Sequence, residues 1–414
     1  MSVDAVKQQK RPSILGGSMI IAGTAVGAGM FSIPMVTSGI WFSGSVALLL
    51  YTFVCMLLSG LMILEANMNY PAGASFHTVV KDLLGSTWNS INSLSITFVL
   101  YILTYAYISA GSSIITGNLS QYIQIPQALA GLIFAVIVAF FVWRSTRAVD
   151  RLSTILIGGM VITFIMSIGG MVTTASPSIL FNQIEQNDTQ YLPYALAALP
   201  YLLTSFGYHG NVPGLVKYYN KDSRSVVLSL VYGSIITVTI YILWQYAIQG
   251  NIPRSAFIEI RESGNNIDSL LTQMNISTQN SFISQFLNLF SYMALASSFL
   301  GVSLGLFDFI ADFFKFDDNK PGRFKSVLMT FLPPTVLALI FPNGFIYAIG
   351  FAGLAATIWA VIVPALMARA SRKRFPNNSY KAPGGAFIIG FVILFGVINA
   401  VAHILSLFGL LPIY

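Results

Sequence analysis

Charge is what this chain has least of. Only 8% of its 414 residues are Asp, Glu, Lys or Arg, against 55% hydrophobic residues, and the mean hydropathy is +0.75. A soluble domain carries about 25% charged residues, so the scarcity excludes a water-soluble globule and leaves an integral membrane protein. Cysteine is nearly absent: Cys55 stands alone, which excludes an intrachain disulfide and suits a small buried packing residue. Histidine is limited to His77, His209 and His403. No cleavable signal peptide is expected, because the first apolar run is itself long enough to span. No soluble domain is expected at either end.

What the chain does have is long apolar runs. A bilayer core needs about 20 such residues per helix, and eleven runs qualify, near 14–37, 42–67, 90–117, 127–144, 152–172, 193–217, 225–248, 283–313, 325–341, 344–369 and 385–408. The net charge of +7 invites a nucleic-acid reading, but the positions of the charges reject it. With the N-terminus in the cytoplasm, all of the 21 Lys and Arg except Arg254 and Arg261 lie on the inner side. Lys7, Lys10 and Arg11, then Arg144, Arg147 and Arg151, then Arg369, Arg372, Lys373 and Arg374 all follow the positive-inside rule. The partner implied is a lipid bilayer, and Tyr414 falls outside. Residues 250–282 form the one long external loop, in which Phe257, Ile260 and Leu270 stand among charges. This pattern fits an amphipathic helix pair, either a lid over an outward cavity or a solvated connector.

Two of the runs are broken. The first has Gly23, Gly27 and Gly29 at its centre, and the sixth has Ser205-Phe-Gly-Tyr-His-Gly-Asn211 between Pro200 and Pro213. Irregular backbone at membrane depth is tolerated only where it is buried in protein or lines a cavity, and paired interruptions in two halves of a chain point to a transporter's substrate site. The Gly23 and Gly27 spacing also suits close helix packing. Glycines at 27 and 29, with Thr24, add freedom for the backbone to leave helical geometry. The half-helix that follows offers N–H groups to a carboxylate. In the sixth run, carbonyls around Ser205 suit an ammonium, and Phe206 offers a ring. His209 reads either as a titrating group at mid-depth or as a neutral ring satisfied by a carbonyl. Glu65 is an acid inside the second run, suited to accepting N–H groups or carrying a proton. Asp308 and Asp312 share one helical face and suit pairing with nearby cations. Tyr101, Tyr105 and Tyr107 form an aromatic stripe in the third run, whose hydroxyls need partners.

The stretches Gly23-TAVGAGMFSI-Pro34, Ser59-GLMILEANMN-Tyr70, Phe98-VLYILTYAYIS-Ala110, Ser205-FGYHGNV-Pro213, Ala296-SSFLGVSLGLF-Asp308 and Ala355-ATIWAVIVPALMARASRKR-Phe375 resemble the bacterial aromatic amino acid permeases of the APC superfamily, closest to the tryptophan-specific members. The resemblance extends over essentially the whole chain. It implies an all-α polytopic membrane protein with the leucine-transporter fold: a cytoplasmic tail at 1–13, inverted repeats at 14–172 and 193–369, and an eleventh helix at 385–408. It implies import of L-tryptophan with a proton across a bacterial inner membrane, by a monomer without a cofactor. By that analogy Thr24, Gly27, Ala28 and Gly29 bind the carboxylate, and carbonyls around Ser205, Phe206 and Gly207 bind the ammonium. Tyr101, Tyr105 and Phe206 face the indole, with Tyr208 and Ser298 completing the site.

One departure bears on the ion. Related proton-coupled permeases place a lysine in the fifth helix, where this sequence has Met160. Gly23, Val26, Ala294, Ser297 and Ser298 resemble the oxygen ligands of a sodium site, and such oxygens suit a small hard cation. The residues leave Na⁺ open where the resemblance implies H⁺; if H⁺ is used, Glu65 or His209 must carry it. The alternatives are a Na⁺-coupled importer of broader aromatic specificity and, more remotely, a membrane amino-acid sensor. An intramembrane enzyme lacks a converging nucleophile and base. A channel would need a continuous polar face.

Overall fold

Helix starts in this chain are set by short polar residues at the loops. Ser13 accepts the Gly16 N–H, Ser145 that of Ala148, Asp222 that of Arg224, Asn280 that of Phe282 and Asn319 that of Gly322. Each satisfies a donor that the first helical turn leaves open. The computed structural model describes residues 12–119, 123–183, 190–278 and 280–414; Lys7, Lys10 and Arg11 of the expected tail lie outside them. Among the described residues the secondary structure is helical, with no strand.

In order, α1 (Ile14–Ala25) leads through a 3-10 turn (Ala28–Phe31) into α2 (Ser32–Val36), followed by α3 (Trp41–Asn67), α4 (Phe76–Leu119), α5 (Gln127–Arg144) and α6 (Thr146–Thr174). After a single turn, α7 (Pro177–Leu180), come α8 (Ala195–Ser205), α9 (Val212–Tyr218), α10 (Ser223–Gln249), α11 (Ala256–Glu262), α12 (Ile267–Thr278), α13 (Ser281–Phe314) and α14 (Lys320–Ile340). Then α15 (Phe345–Ala356) runs through a π-helical turn (Thr357–Ile362) into α16 (Val363–Arg374), and α17 (Gly385–Leu407) ends the series.

Among the described residues nine helices are long and apolar enough to cross a membrane, or ten when α1 and the segment Ala28–Val36, bent by 52°, count as one. The eleven spans expected from sequence include the sixth run, where α8 and α9 hold only 11 and 7 residues on either side of the break. The third span also begins differently from the expected 90–117. Helix α4 starts at Phe76 and turns at Gly85, whose φ of +87° is open to glycine at no steric cost.

Apolar side chains face outward as well as inward. Ile133, Val136, Ile137 and Phe140 of α5, and Ile155, Ile162 and Ile165 of α6, are all exposed, a surface for hydrocarbon rather than water. Inside, hydroxyls satisfy themselves on the preceding turn, as Thr163, Ser167, Ser291, Ser303 and Thr330 do at 2.6–2.8 Å. Helix α1 packs along α10, while α8 and α9 pack along α3; α6 packs along α13, and α4 along α15.

The loop at 250–282 folds as α11 and α12, with Phe257, Ile260, Leu270 and Met274 buried. At its root Arg254 is 1% exposed. Its guanidinium donates to the carbonyls of Ser38, Gly39 and Gln190 and lies over the rings of Tyr191, Tyr194 and Tyr414 at 4.8, 5.8 and 3.9 Å. Arg261 donates to the Ile413 carbonyl at 3.0 Å. The end of the bundle reached by α2 is thereby tied together by four chain segments.

Candidate functional site

The first break opens after Val26, whose N–H makes the last bond of α1 to the Ala22 carbonyl at 2.8 Å. Gly27 is extended, with φ −177°, a conformation any residue adopts, so the need for glycine there is steric. A Cβ at Gly27 would overlap the Ser298 hydroxyl of α13. That same hydroxyl accepts the Ala28 N–H at 3.0 Å. The second break opens at the end of α8. The Phe206 N–H bonds to Leu203, that of Tyr208 to Phe206 and that of Asn211 to Tyr208, before α9 begins at Val212.

Two side chains join the breaks. Asn211 Nδ2 donates to Thr24 Oγ1 at 2.6 Å. The Tyr241 hydroxyl, fully buried on α10, shares its proton between the Ala25 carbonyl at 2.7 Å and the Ser205 carbonyl at 2.6 Å. Between the breaks lies a cavity of about 630 Å³. Residues 23–29 form one wall and Thr204, Ser205, Gly207, Tyr208, Gly210 and Asn211 the facing one. Tyr107 of α4, Met160 of α6, Ser297 and Ser298 of α13 and Trp359 of the π-helical turn complete it. The lining continues to Phe76, Ser153 and Gly305, and Gly23, Thr24, Gly207 and Gly210 are exposed to it. The cavity therefore opens toward the end of the bundle where α1 begins. A smaller cavity of about 330 Å³ lies at the opposite end, lined by Tyr194, Tyr201, Arg261, Tyr347 and Tyr414 among others. The two share no lining residue.

The structure brings together Thr24, Gly27, Ala28, Gly29, Ser205, Gly207, Tyr208 and Ser298 in one wall system, with Gly23, Val26 and Ser297 beside them. Other expected residues lie elsewhere. The Tyr101 hydroxyl donates to the Met329 carbonyl at 2.9 Å and the Tyr105 hydroxyl to the Phe341 carbonyl at 2.8 Å. Both therefore serve the packing of α4 on α14 and its following turn, and Tyr107 is the tyrosine that reaches the cavity. Phe206 is fully buried against the Tyr241 ring at 5.3 Å. Its backbone position stays with the break, but its ring is not among the lining residues. Ala294 is likewise buried outside the lining, and its carbonyl accepts the Ser297 hydroxyl at 3.1 Å.

Glu65 is fully buried and bound bidentately by Arg372 at 2.7 and 2.8 Å, with the Ala382 N–H as a third donor at 2.8 Å. It ties α3 to α16 and to the turn before α17 rather than capping the broken helix. His209 is fully buried beneath the second break, with Nε2 on the Met56 carbonyl at 3.1 Å and its ring stacked on Tyr208. Tyr241 and Trp359 are site residues that sequence reasoning missed, whereas Tyr107 was named only as one of the aromatic stripe. Their signal was a polar ring atom inside an apolar run, which needs a partner.

A cavity walled by two interrupted helices inside a lipid-facing helical bundle defines a membrane transport protein. The chain belongs to the tryptophan/tyrosine permease family, whose profile matches residues 10–403. It is 59% identical over 415 aligned residues to a tryptophan-specific transport protein of Pseudomonas aeruginosa, covering 100% of this chain and 99% of that protein. A protein of the same name from Haemophilus influenzae is 56% identical over 404 residues, 96% and 97% of the two chains. A low affinity tryptophan permease of Escherichia coli is 46% identical over 408 residues, 98% of each. These names describe transport rather than catalysis.

Proposed function

We propose that the chain is a secondary transporter that imports L-tryptophan by cation symport through alternating access. The observation that carries this reading is that one cavity is lined by residues of both breaks. The relatives named for tryptophan transport give the substrate. Amides of Gly27 and Gly29 take the carboxylate at the start of the half-helix, the unwound second break takes the ammonium, and Tyr107, Tyr208 and Trp359 receive the indole.

The packing pairs support a five-plus-five inverted repeat with α17 added. Counting α1–α2 and α8–α9 as single spans gives eleven. The pairing of the first span with α10 is then answered by that of the sixth with α3, and α6 on α13 by α15 on α4. With the basic loops inside, the N-terminal end is cytoplasmic, the cavity opens inward, and the Arg254 cluster closes the periplasmic side of the inner membrane. The protein works as a monomer in this reading.

For the ion we favour H⁺, carried by His209. Two oxygens of the sodium-like set are engaged internally, the Ala294 carbonyl with Ser297 and the Ser298 hydroxyl with Ala28. Glu65 is held by Arg372, whereas His209 lies between the lining residues Tyr208 and Gly210, with Nδ1 making no hydrogen bond. Uptake of radiolabelled tryptophan into proteoliposomes under separately imposed gradients tests all of this. Accumulation is expected under an inward H⁺ gradient, lost in His209→Gln and kept in Glu65→Gln variants that fold. Uptake driven by Na⁺ alone overturns the ion, and no uptake under either gradient overturns the transporter.

A further inference from the structure

Two buried groups beside the cavity are stranded, and they are complementary. His209 uses Nε2 as the donor to the Met56 carbonyl, which leaves Nδ1 as an acceptor, and Nδ1 is buried with no hydrogen-bond partner. Trp359 Nε1 is a donor only, and it too is buried with no partner. The two rings lie edge to face, 6.3 Å between centroids and 88° between planes. A buried polar atom without a partner is costly, and such groups in a native fold call for an explanation. A donor without an acceptor and an acceptor without a donor thus sit on two adjacent rings.

The backbone under Trp359 is unusual as well. Thr357–Ile362 is the one π-helical turn among the described residues, a form that recurs at functional sites. Serine hydroxyls from two other helices hold its flanks, Ser59 on the Ala360 carbonyl and Ser95 on the Ala355 carbonyl at 2.5 Å. Gly396 of α17 backs it, with room for a Cβ only at 3.1–3.4 Å from Ile362, Val361 and Thr357. The turn is fixed on its outer sides, while Trp359 is partly exposed on the cavity side.

We propose that Trp359 is the positioning residue that couples the proton on His209 to the substrate cavity, through a hydrogen bond from its indole N–H to His209 Nδ1 that forms only when His209 is neutral. This rests on the transport reading above and deepens it. A proton on Nδ1 converts that atom from acceptor to donor, so the indole N–H loses its partner and the ring is released toward the cavity. Loss of the proton draws the ring back. The groups facing His209 are the Met56 carbonyl from α3, the Tyr208 ring stacked at 4.7 Å, the Phe206 carbonyl and Trp359. No charged side chain is among them; a proton on the ring favours the Phe206 carbonyl, an acceptor, over the indole N–H, a donor.

Trp359→Phe keeps an aromatic ring and removes the donor. Proteoliposomes are given tryptophan under an inward H⁺ gradient, and in parallel tryptophan counterflow with no gradient. Wild-type protein accumulates. In Trp359→Phe the accumulation ratio divided by the counterflow rate is expected to fall about tenfold, what a hydrogen bond of about 1.4 kcal/mol is worth, the counterflow rate taking up whatever the substitution does to substrate binding. Trp359→His, which returns a ring N–H, recovers part of the accumulation. Full accumulation in Trp359→Phe overturns the coupling role, and so does a proportional loss of accumulation and counterflow, which marks a packing residue. Wild-type protein that ignores the H⁺ gradient removes the proton reading itself, a failure distinct from either.

Discussion

At the scale of single residues, the contact between Gly27 and Ser298 is the tightest constraint on the site. A methyl group at position 27 meets the Ser298 hydroxyl, whereas the Ser298 Cβ lies at 3.7 Å, an ordinary contact. Gly27→Ala is therefore expected to lower the thermal stability of the purified protein by about 1–3 kcal/mol, the usual cost of overpacking. Ser298→Ala should remove most of that loss when combined with it. Additive effects in a double-mutant cycle would show that the two residues do not meet. The tyrosines of α4 show what sequence cannot decide at this scale. With 3.6 residues per turn, Tyr101 and Tyr105 share a face and Tyr107 stands roughly opposite Tyr105. The pattern gives the two faces, but only the packing of α4 on α14 and α15 selects which one meets the cavity.

At the scale of elements, the breaks were legible because glycine, proline and polar side chains inside an apolar run have no other use at that depth. Their joining was not. Tyr241 is 36 residues from Ser205 and 216 from Ala25, and Arg372 is 307 residues from Glu65, distances over which no local pattern carries information. The helix pair α11 and α12 has a pH dependence of its own. Asp268 at the start of α12 lies against Gly117 of α4, and burial pushes its carboxyl up to about 6. A carboxyl with a raised value in the docked pair binds its proton more tightly there than when undocked. Docking is thus favoured at pH below about 4 and loses that contribution as pH rises through 6. Hydrogen exchange of α12 amides, corrected for intrinsic rates, should show protection falling between pH 5 and pH 7. Asp268→Asn should flatten that fall, and an unchanged slope in this variant would assign it to another group.

At the scale of the whole molecule, the bundle is open at one end and tied at the other. Cys55 is fully buried, so a Cys55→Ala background accepts single reporter cysteines. Gly210 is exposed to the cavity and has nothing within 4 Å of an added Cβ, while Ser38 is buried under the Arg254 cluster. An impermeant maleimide should label Gly210→Cys only from the face at which α1 begins, the cytoplasmic one in the proposed orientation. Tryptophan with an H⁺ gradient should reduce that labelling and increase labelling of Ser38→Cys from the opposite face. Simultaneous labelling of both from one face would contradict alternating access.

The seat of Tyr414 carries a practical consequence. Its ring sits 3.9 Å over the Arg254 guanidinium and edge-on to Tyr194 at 5.7 Å, inside the seal that closes one end. A purification tag or fluorescent protein fused after Tyr414 is carried directly on a residue of that cluster. Such a fusion is expected to weaken the Tyr414 ring contacts with Arg254 and Tyr194, which a handle placed before Ser13, at the opposite end of the bundle, leaves alone.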